Sequence, residues 1–205
     1  MHTDILIVGS GGHAKVVIEA LSMKNVFTNI RIVDEREDKK GSFFNQYSVD
    51  FLKSWNILET NFHVAIGSNE ARSRISKDAI IVGKNYQSII HPESTISPSA
   101  IILDGSFVAA NTVISSDALI NKGCILNHFA SVDHDCIIGE YSHIAPHATL
   151  LGGVKVGSHC LIGAGAVILP KISVGNYVVV GAGSIVTRDI PDNMTYFGNP
   201  AREVK

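Results

Sequence analysis

The chain has 205 residues, 45% of them hydrophobic, with a formal net charge of −2. That length holds one large domain or two small ones with a good core, and the near-neutral balance argues against a nucleic-acid partner recruited by bulk charge. No apolar run approaches membrane-spanning length, and the N-terminus lacks a basic segment followed by a small-residue cleavage site, so neither a membrane partner nor a secretory leader is expected.

Residues 4–8 (Asp-Ile-Leu-Ile-Val) form a short apolar run with the look of a buried parallel strand. Gly9-Ser10-Gly11-Gly12 follows, and residues 13–21 have helical periodicity. Residues 30–33 read as a second strand ending at Asp34-Glu35, and residues 48–55 as a short helix. Residues 62–66 predict a third strand closed by Gly67-Ser68. A helix over 69–77 follows, with Ser68 or Asn69 as its N-cap, and then a last strand over 87–90. Strands alternating with helices predict a small Rossmann-like α/β domain over residues 1–90, with residues 91–205 forming a second domain. In such sheets ligands gather beyond the carboxyl ends of the strands. Gly11-Gly12-His13, Asp34-Glu35 and Gly67-Ser68 all fall there.

Gly9-x-Gly11-x-x-Ala14 fits a dinucleotide fingerprint, with Asp34 twenty residues beyond Ala14 where a ribose-binding acid is expected. Fewer than ninety residues supply only about one and a half mononucleotide-binding halves. A nucleotide-linked small molecule with its phosphates at the helix N-terminus fits better. The plain alternative is that these glycines only make a tight turn.

From Ile96 to Val186 every sixth residue is Ile, Leu or Val, without slip or insertion. With that residue counted as the first of its hexad, the fifth is usually Ala, Ser, Thr or Cys. Neither a helix nor an alternating strand has this period; a β-helix of hexapeptide repeats does, with three hexads per coil. The pattern breaks at Asp192, so the tail around Gly198-Asn199-Pro200 is expected to cap the last rung. Cys124, Cys136 and Cys160 all fall at the small fifth position. The pair on one face is two rungs, about 9.6 Å, apart, too far for a disulfide. A reducing, cytoplasmic home follows.

The same register puts His134 outside the inward slots, between Asp133 and Asp135. An imidazole beside a carboxylate makes a general base, although a histidine on a solvated edge is the blander reading. Eighteen residues on, one rung away, stands Gly152. Gly163 and Gly181, and Ala164 and Ala182, form further 18-residue pairs, a column along which an extended ligand could bond to backbone amides, unless these small residues merely ease the corners. The spacing of His128, His134, His143, His147 and His159 does not favour a zinc site, and no metal is expected.

On these residues the chain resembles the two-domain bacterial sugar acetyltransferases that N-acetylate UDP-linked 4-amino-4,6-dideoxy sugars, as in bacillosamine biosynthesis, with relatives that act on perosamine or O-acetylate sialic acids. The resemblance covers nearly the whole chain. It rests on Gly11-Gly12-His13, Asp34-Glu35, the segment from Ile66 to Arg72, Asn127, the segment from His134 to His143, and Gly198-Asn199-Pro200-Ala201. It implies a left-handed parallel β-helix, acetyl-CoA as cosubstrate, and a homotrimer with active sites between subunits in surface-glycan biosynthesis. His134 would be the general base and Asp135 its support, one methylene shorter than the Glu of the better-known amino-sugar enzymes, so that Asp133 could share the role. Asn127 would sit near the amine, and Gly11, Gly12, His13, Asp34, Glu35 and Gly67 would hold the nucleotide sugar. His143, Gly152, Ala164 and Ala182 would hold acetyl-CoA. O-acetylation of a sialic acid, or a non-catalytic nucleotide-binding scaffold, are the competing expectations.

Overall fold

The computed structural model describes residues 4–24, 27, 29–44, 47–54 and 59–204. The chain divides into two compact units, Met1–Pro92 and Glu93–Lys205. In the first, β1 (Asp4–Val8) leads to α1 (Gly12–Lys24), β2 (Asn29–Asp34), β3 (Phe43–Phe44), β4 (Tyr47–Phe51), β5 (Asn61–Val64), α2 (Asn69–Ile81) and β6 (Asn85–Tyr86). The sheet order is β3-β4-β2-β1-β5-β6, parallel except for the β3–β4 pair. Ile5, Leu6, Ile7 and Val8 are fully buried, as a central parallel strand covered on both faces requires. Ser68 is the N-cap of α2, its side chain accepting from the Ala71 N–H at 3.3 Å.

Two expectations change here. Where the sequence suggests a helix over 48–55, the chain runs as β4. Tyr47, Val49 and Phe51 alternate with the period of a strand, and pairing of Val49 with Ile32 of β2 extends the sheet. Trp55 lies outside the described residues. The strand expected over 87–90 is instead two short strands, 85–86 and 89–90. Between them the Gln87 carbonyl bonds the His63 ring at 2.8 Å.

In the second unit, two-residue strands recur every six residues from Thr95–Ile96 to Ile185–Val186 and pair in parallel with the strand 18 residues away, as Val113 with Ser131 and Ser131 with Thr149. Three hexads therefore make one coil of a parallel β-helix. From Val108 onward every first-position residue is buried. Each fourth-position residue from Gly105 to Gly183 turns a corner at φ between +55° and +74°, whether glycine or not. Only glycine adopts that conformation without cost, so the closed coil imposes it on Asp135 and the other side chains.

The small fifth residue has a second reason. Ser106, Thr112, Cys124, Cys136, Ser142 and Cys160 each donate from Oγ or Sγ to a carbonyl 15 residues on, satisfying a corner from inside. The three cysteines are buried free thiols. After Val186, Ile190 bridges to Val174 and Asp192 accepts the Asn176 N–H. Residues 195–197 then pair with 179–180 and, antiparallel, with 202–203, capping the last rung.

Candidate active site

The hexad decides which side chains and amides face out. His134 takes the third position and Asp135 the fourth, at φ 60°. This turn bends the Asp135 carboxylate back to the preceding ring, where Oδ2 lies 2.7 Å from His134 Nδ1. An ionised carboxylate only accepts, so Nδ1 carries the proton and Nε2 keeps the lone pair. Asp133 Oδ1 accepts the His134 backbone N–H at 2.8 Å. The two acids thus have separate tasks, Asp135 on the ring and Asp133 on the main chain. Both side chains of the His134–Asp135 pair are more than half exposed, and the Asp135 hydrogen bond, followed by the Asp133 charge, raises the imidazole above its ordinary value. Gly152 lies directly across: a Cβ built there would meet Nε2 at 2.5 Å. Any larger residue would displace the ring.

A different edge of the coil carries Asn127. Its Oδ1 accepts from the His128 backbone at 2.9 Å and lies 3.0 Å from His128 Nδ1, while Nδ2 donates to His143 Nε2 at 3.1 Å. The column above His128 continues through Pro146, Ala164 and Ala182. Most main-chain N–H groups of a hexad donate to a neighbouring rung or within the corner, but those of third-position Gly152, Ala164 and Ala182 donate to no protein group among the described residues. Free amides beside exposed small side chains suit a ligand rich in acceptors. Gly163 and Gly181 answer to packing: a Cβ on Gly163 would strike the main chain of the next rung, and one on Gly181 would strike Phe197.

The third group of residues lies in the α/β unit, where the carboxyl ends of β1, β2 and β5 meet. Gly11, Gly12, His13, Asp34, Glu35 and Gly67 all line one cavity of about 450 Å³. Gly9 makes it possible. At φ +113° it crosses from β1 against the β5 end, with a Cβ position 2.8 Å from Ile66 and 2.9 Å from the Ala65 carbonyl. Gly11, Gly12 and Gly67 have open space where a side chain would stand, and no acid occupies the first turn of α1. A helix N-terminus so placed favours an anionic group.

Residues 4–79 match the family model for the PglD N-terminal domain, and residues 117–152 and 153–188 match that for bacterial transferase hexapeptide (six repeats). GDP-perosamine N-acetyltransferase of Escherichia coli O157:H7 is 29% identical over 210 residues, spanning 97% of this chain and 95% of that one. The acetyltransferase domain of PglB from Neisseria gonorrhoeae FA1090, solved in complex with acetyl coenzyme A, superposes with a TM-score of 0.94 at 36% identity over 100% of both chains. PerB from Caulobacter crescentus, in complex with CoA and GDP-perosamine, gives 0.91 at 35% identity over 98% of this chain and 97% of that one. The chain belongs to the two-domain hexapeptide-repeat sugar acetyltransferases. It is an acyltransferase that uses acetyl-CoA, built on a left-handed parallel β-helix.

In this acetyltransferase sequence reasoning passed over several residues. Ser10, Arg36 and Arg74 organise the cavity acids, and Ile66, Ala71 and Ile75 supply apolar wall. Buried Arg72 holds the loop before α2 by donating to the Ile66 and Gly67 carbonyls at 3.0 and 3.2 Å. No spacing rule singles out these side chains, because their partners come from other strands. Among the described residues no group of three or more His, Cys, Asp or Glu could hold a metal ion. The remaining β-helix histidines are stacked: His147 on Phe129 at 4.8 Å, and His159 between Tyr141 and Tyr177.

Proposed function

We propose that the acetyltransferase moves the acetyl group of acetyl-CoA onto the amine of a UDP-linked 4-amino-4,6-dideoxy sugar in surface-glycan synthesis. The observation that carries this reading is the His134 ring, held by Asp135 with its Nε2 lone pair turned to an open edge above Gly152. In this mechanism the sugar nitrogen attacks the thioester carbonyl while Nε2 takes the amine proton. The tetrahedral oxyanion accepts from backbone N–H groups, the free amide of Gly152 being the nearest to the base. Collapse breaks the C–S bond, and the proton held by His134 leaves with the CoA sulfur. The products are the amide and CoA thiol. Asp135 fixes the tautomer and stabilises the imidazolium, and Asp133 adds its charge.

The open amides of Ala164 and Ala182, with His143, form the acetyl-CoA groove in this reading, and Asn127 sits beside the amine. Because His134 and Asn127 stand on different edges of one coil, a complete site takes two copies, one giving His134 and its neighbour the groove. A homotrimer does this three times over. The nucleotide sits in the α/β cavity with its phosphates at Gly11, Gly12 and the start of α1, near His13 and Gly67. GDP-perosamine and CoA bound to PerB support both halves of the reading. Among the described residues no helix is long and apolar enough to cross a membrane, and the chemistry belongs in the cytoplasm, where acetyl-CoA is made.

The decisive experiment follows CoA thiol release with a panel of UDP-, GDP- and dTDP-linked 4-amino sugars and matched hydroxyl acceptors. Release with an amino acceptor, its loss in His134→Ala and retained acetyl-CoA binding in that variant are the expected results. Full activity of His134→Ala sinks the mechanism. Turnover confined to hydroxyl acceptors makes the enzyme an O-acetyltransferase. Silence with every acceptor leaves a nucleotide-binding scaffold.

A further inference from the structure

The cavity of the α/β unit is lined by two acids, and an arginine holds each of them. Asp34, almost fully buried at the end of β2, accepts on Oδ1 from the Arg36 N–H at 3.0 Å and Arg36 Nε at 2.9 Å. On Oδ2 it accepts from the Ser10 N–H at 2.9 Å, Ser10 Oγ at 2.6 Å and Arg36 Nη2 at 2.9 Å. A carboxylate has about four lone-pair sites, so five donors fill it. Burial opposes the Asp34 charge, but the hydrogen bonds from Arg36 and Ser10 outweigh it and hold the carboxyl ionised far below its usual range. Glu35 is matched by Arg74, at 3.1 Å on one oxygen and 2.6 Å on the other. At the Asp34 position, what the cavity offers a ligand is therefore a donor.

That donor is Arg36. Two of its five N–H groups hold Asp34; the other three make no hydrogen bond among the described residues, and its side chain is 56% exposed in the cavity wall. The guanidinium is pre-oriented by its clamp, planar, and set in a cavity with the apolar side chains of Ile66, Ala71 and Ile75. With phosphates at the start of α1, the nucleoside runs toward the β2 end, where Arg36 stands. A fixed guanidinium edge asks for an acceptor and stacks on flat rings. We propose that Arg36 selects the nucleotide by donating to the carbonyl oxygen of an oxo-base, with Asp34 as the residue that positions it. This rests on the nucleotide-sugar reading above. Uracil, thymine, guanine and hypoxanthine present such an oxygen; cytosine and adenine put an amino donor at the matching atom.

The test is isothermal titration of the intact protein with two pairs that differ at that atom, UDP against CDP and IDP against ADP, with GDP and dTDP as further arms. The wild type is expected to prefer the oxo member of the pair that fits by about tenfold or more, because the amino member leaves the guanidinium facing a donor. Arg36→Ala should bring that ratio to within about twofold and raise KM for the nucleotide sugar with little change in kcat. Arg36→Lys, which keeps the charge without the fork, should lose most of the ratio too. Ser10→Ala removes one Asp34 contact but keeps the Arg36 clamp, and should preserve the ratio, which guards against a folding artefact. A ratio that survives Arg36→Ala overturns the proposal. Equal weakening of every nucleotide also overturns it, by showing a phosphate contact. A wild type that binds none of the six brings down the nucleotide-sugar reading itself, a result distinct from binding without discrimination.

Discussion

The two units build their sites by different routes. In the β-helix the repeating contacts span fixed counts: 18 residues between paired strands and 15 from a fifth-position hydroxyl or thiol to its carbonyl. His134 meets Gly152 because the coil length says so, and the ring meets Asp135 because the corner turns at the fourth position. In the α/β unit the cavity joins Gly9–His13, Asp34–Arg36 and Ala65–Gly67, three loops brought together by the sheet order β2-β1-β5. One site is set by a period and the other by a crossing of strands. A periodic site tolerates little at one or two repeat positions, whereas a crossing site depends on the glycines and buried side chains that let its loops meet.

The largest break expected on the periodic side is Gly152→Ala. The added carbon would stand 2.5 Å from His134 Nε2, so the ring must shift from its place beside Asp135. Misplacing a general base costs about 10²-fold in kcat. Circular dichroism should show the β-helix intact, and acetylation assays should show the loss. A wild-type kcat would mean that the ring does not act from this position.

Asp135→Asn sharpens the same site with a smaller effect. The carboxylate raises the imidazole, and in the proposed mechanism the ring works only when deprotonated, so the alkaline plateau of kcat/KM should begin above the ordinary histidine value. Removing the charge lowers that pKa. The rising limb should move to lower pH while the plateau falls about tenfold. A pH–rate profile that does not move would assign the limb to the acceptor amine.

On the crossing side, Gly9→Ala tests the loop junction. It combines a left-handed φ with a contact on Ile66 and the Ala65 carbonyl, and should cost about 2–3 kcal/mol. Hydrogen exchange followed by mass spectrometry should show the loss in β1 and β5 but not in residues 107–186.

The smallest effect at neutral pH is that of His63, buried in β5 and held neutral by burial, with its pKa pushed down to about 4. Above the ordinary histidine value of 6.5, folded and unfolded chains are both neutral and the residue contributes no pH dependence. As pH falls from there toward 4, only the unfolded chain takes the proton, and stability of this unit is lost across that window. His63→Gln should flatten thermal unfolding against pH over that range.

How much of this was legible in the chain follows the same division. The six-residue period reached the β-helix, the inward cysteines, the exposure of His134 and its pairing with Gly152, because stacking at 18 residues is arithmetic on sequence. The period also marked the third-position column of Ala164 and Ala182, although only the hydrogen-bond pattern showed that its amides are open. In the α/β unit the β1, β2 and β5 strands and both helices were legible from runs and caps, but β4 was not. Its alternation of Tyr47, Val49 and Phe51 became a strand through pairing with β2.

The sequence by itself determined the coil, the core and the position of His134 relative to its own rung, since each depends on residues at a constant separation. Only the tertiary structure decided what the cavity presents. Asp34 reads as a ligand acid in the chain, yet Ser10 and Arg36 fill both of its oxygens. Which donors reach a carboxylate depends on where β1 and β2 end in space, and no spacing along the chain encodes that.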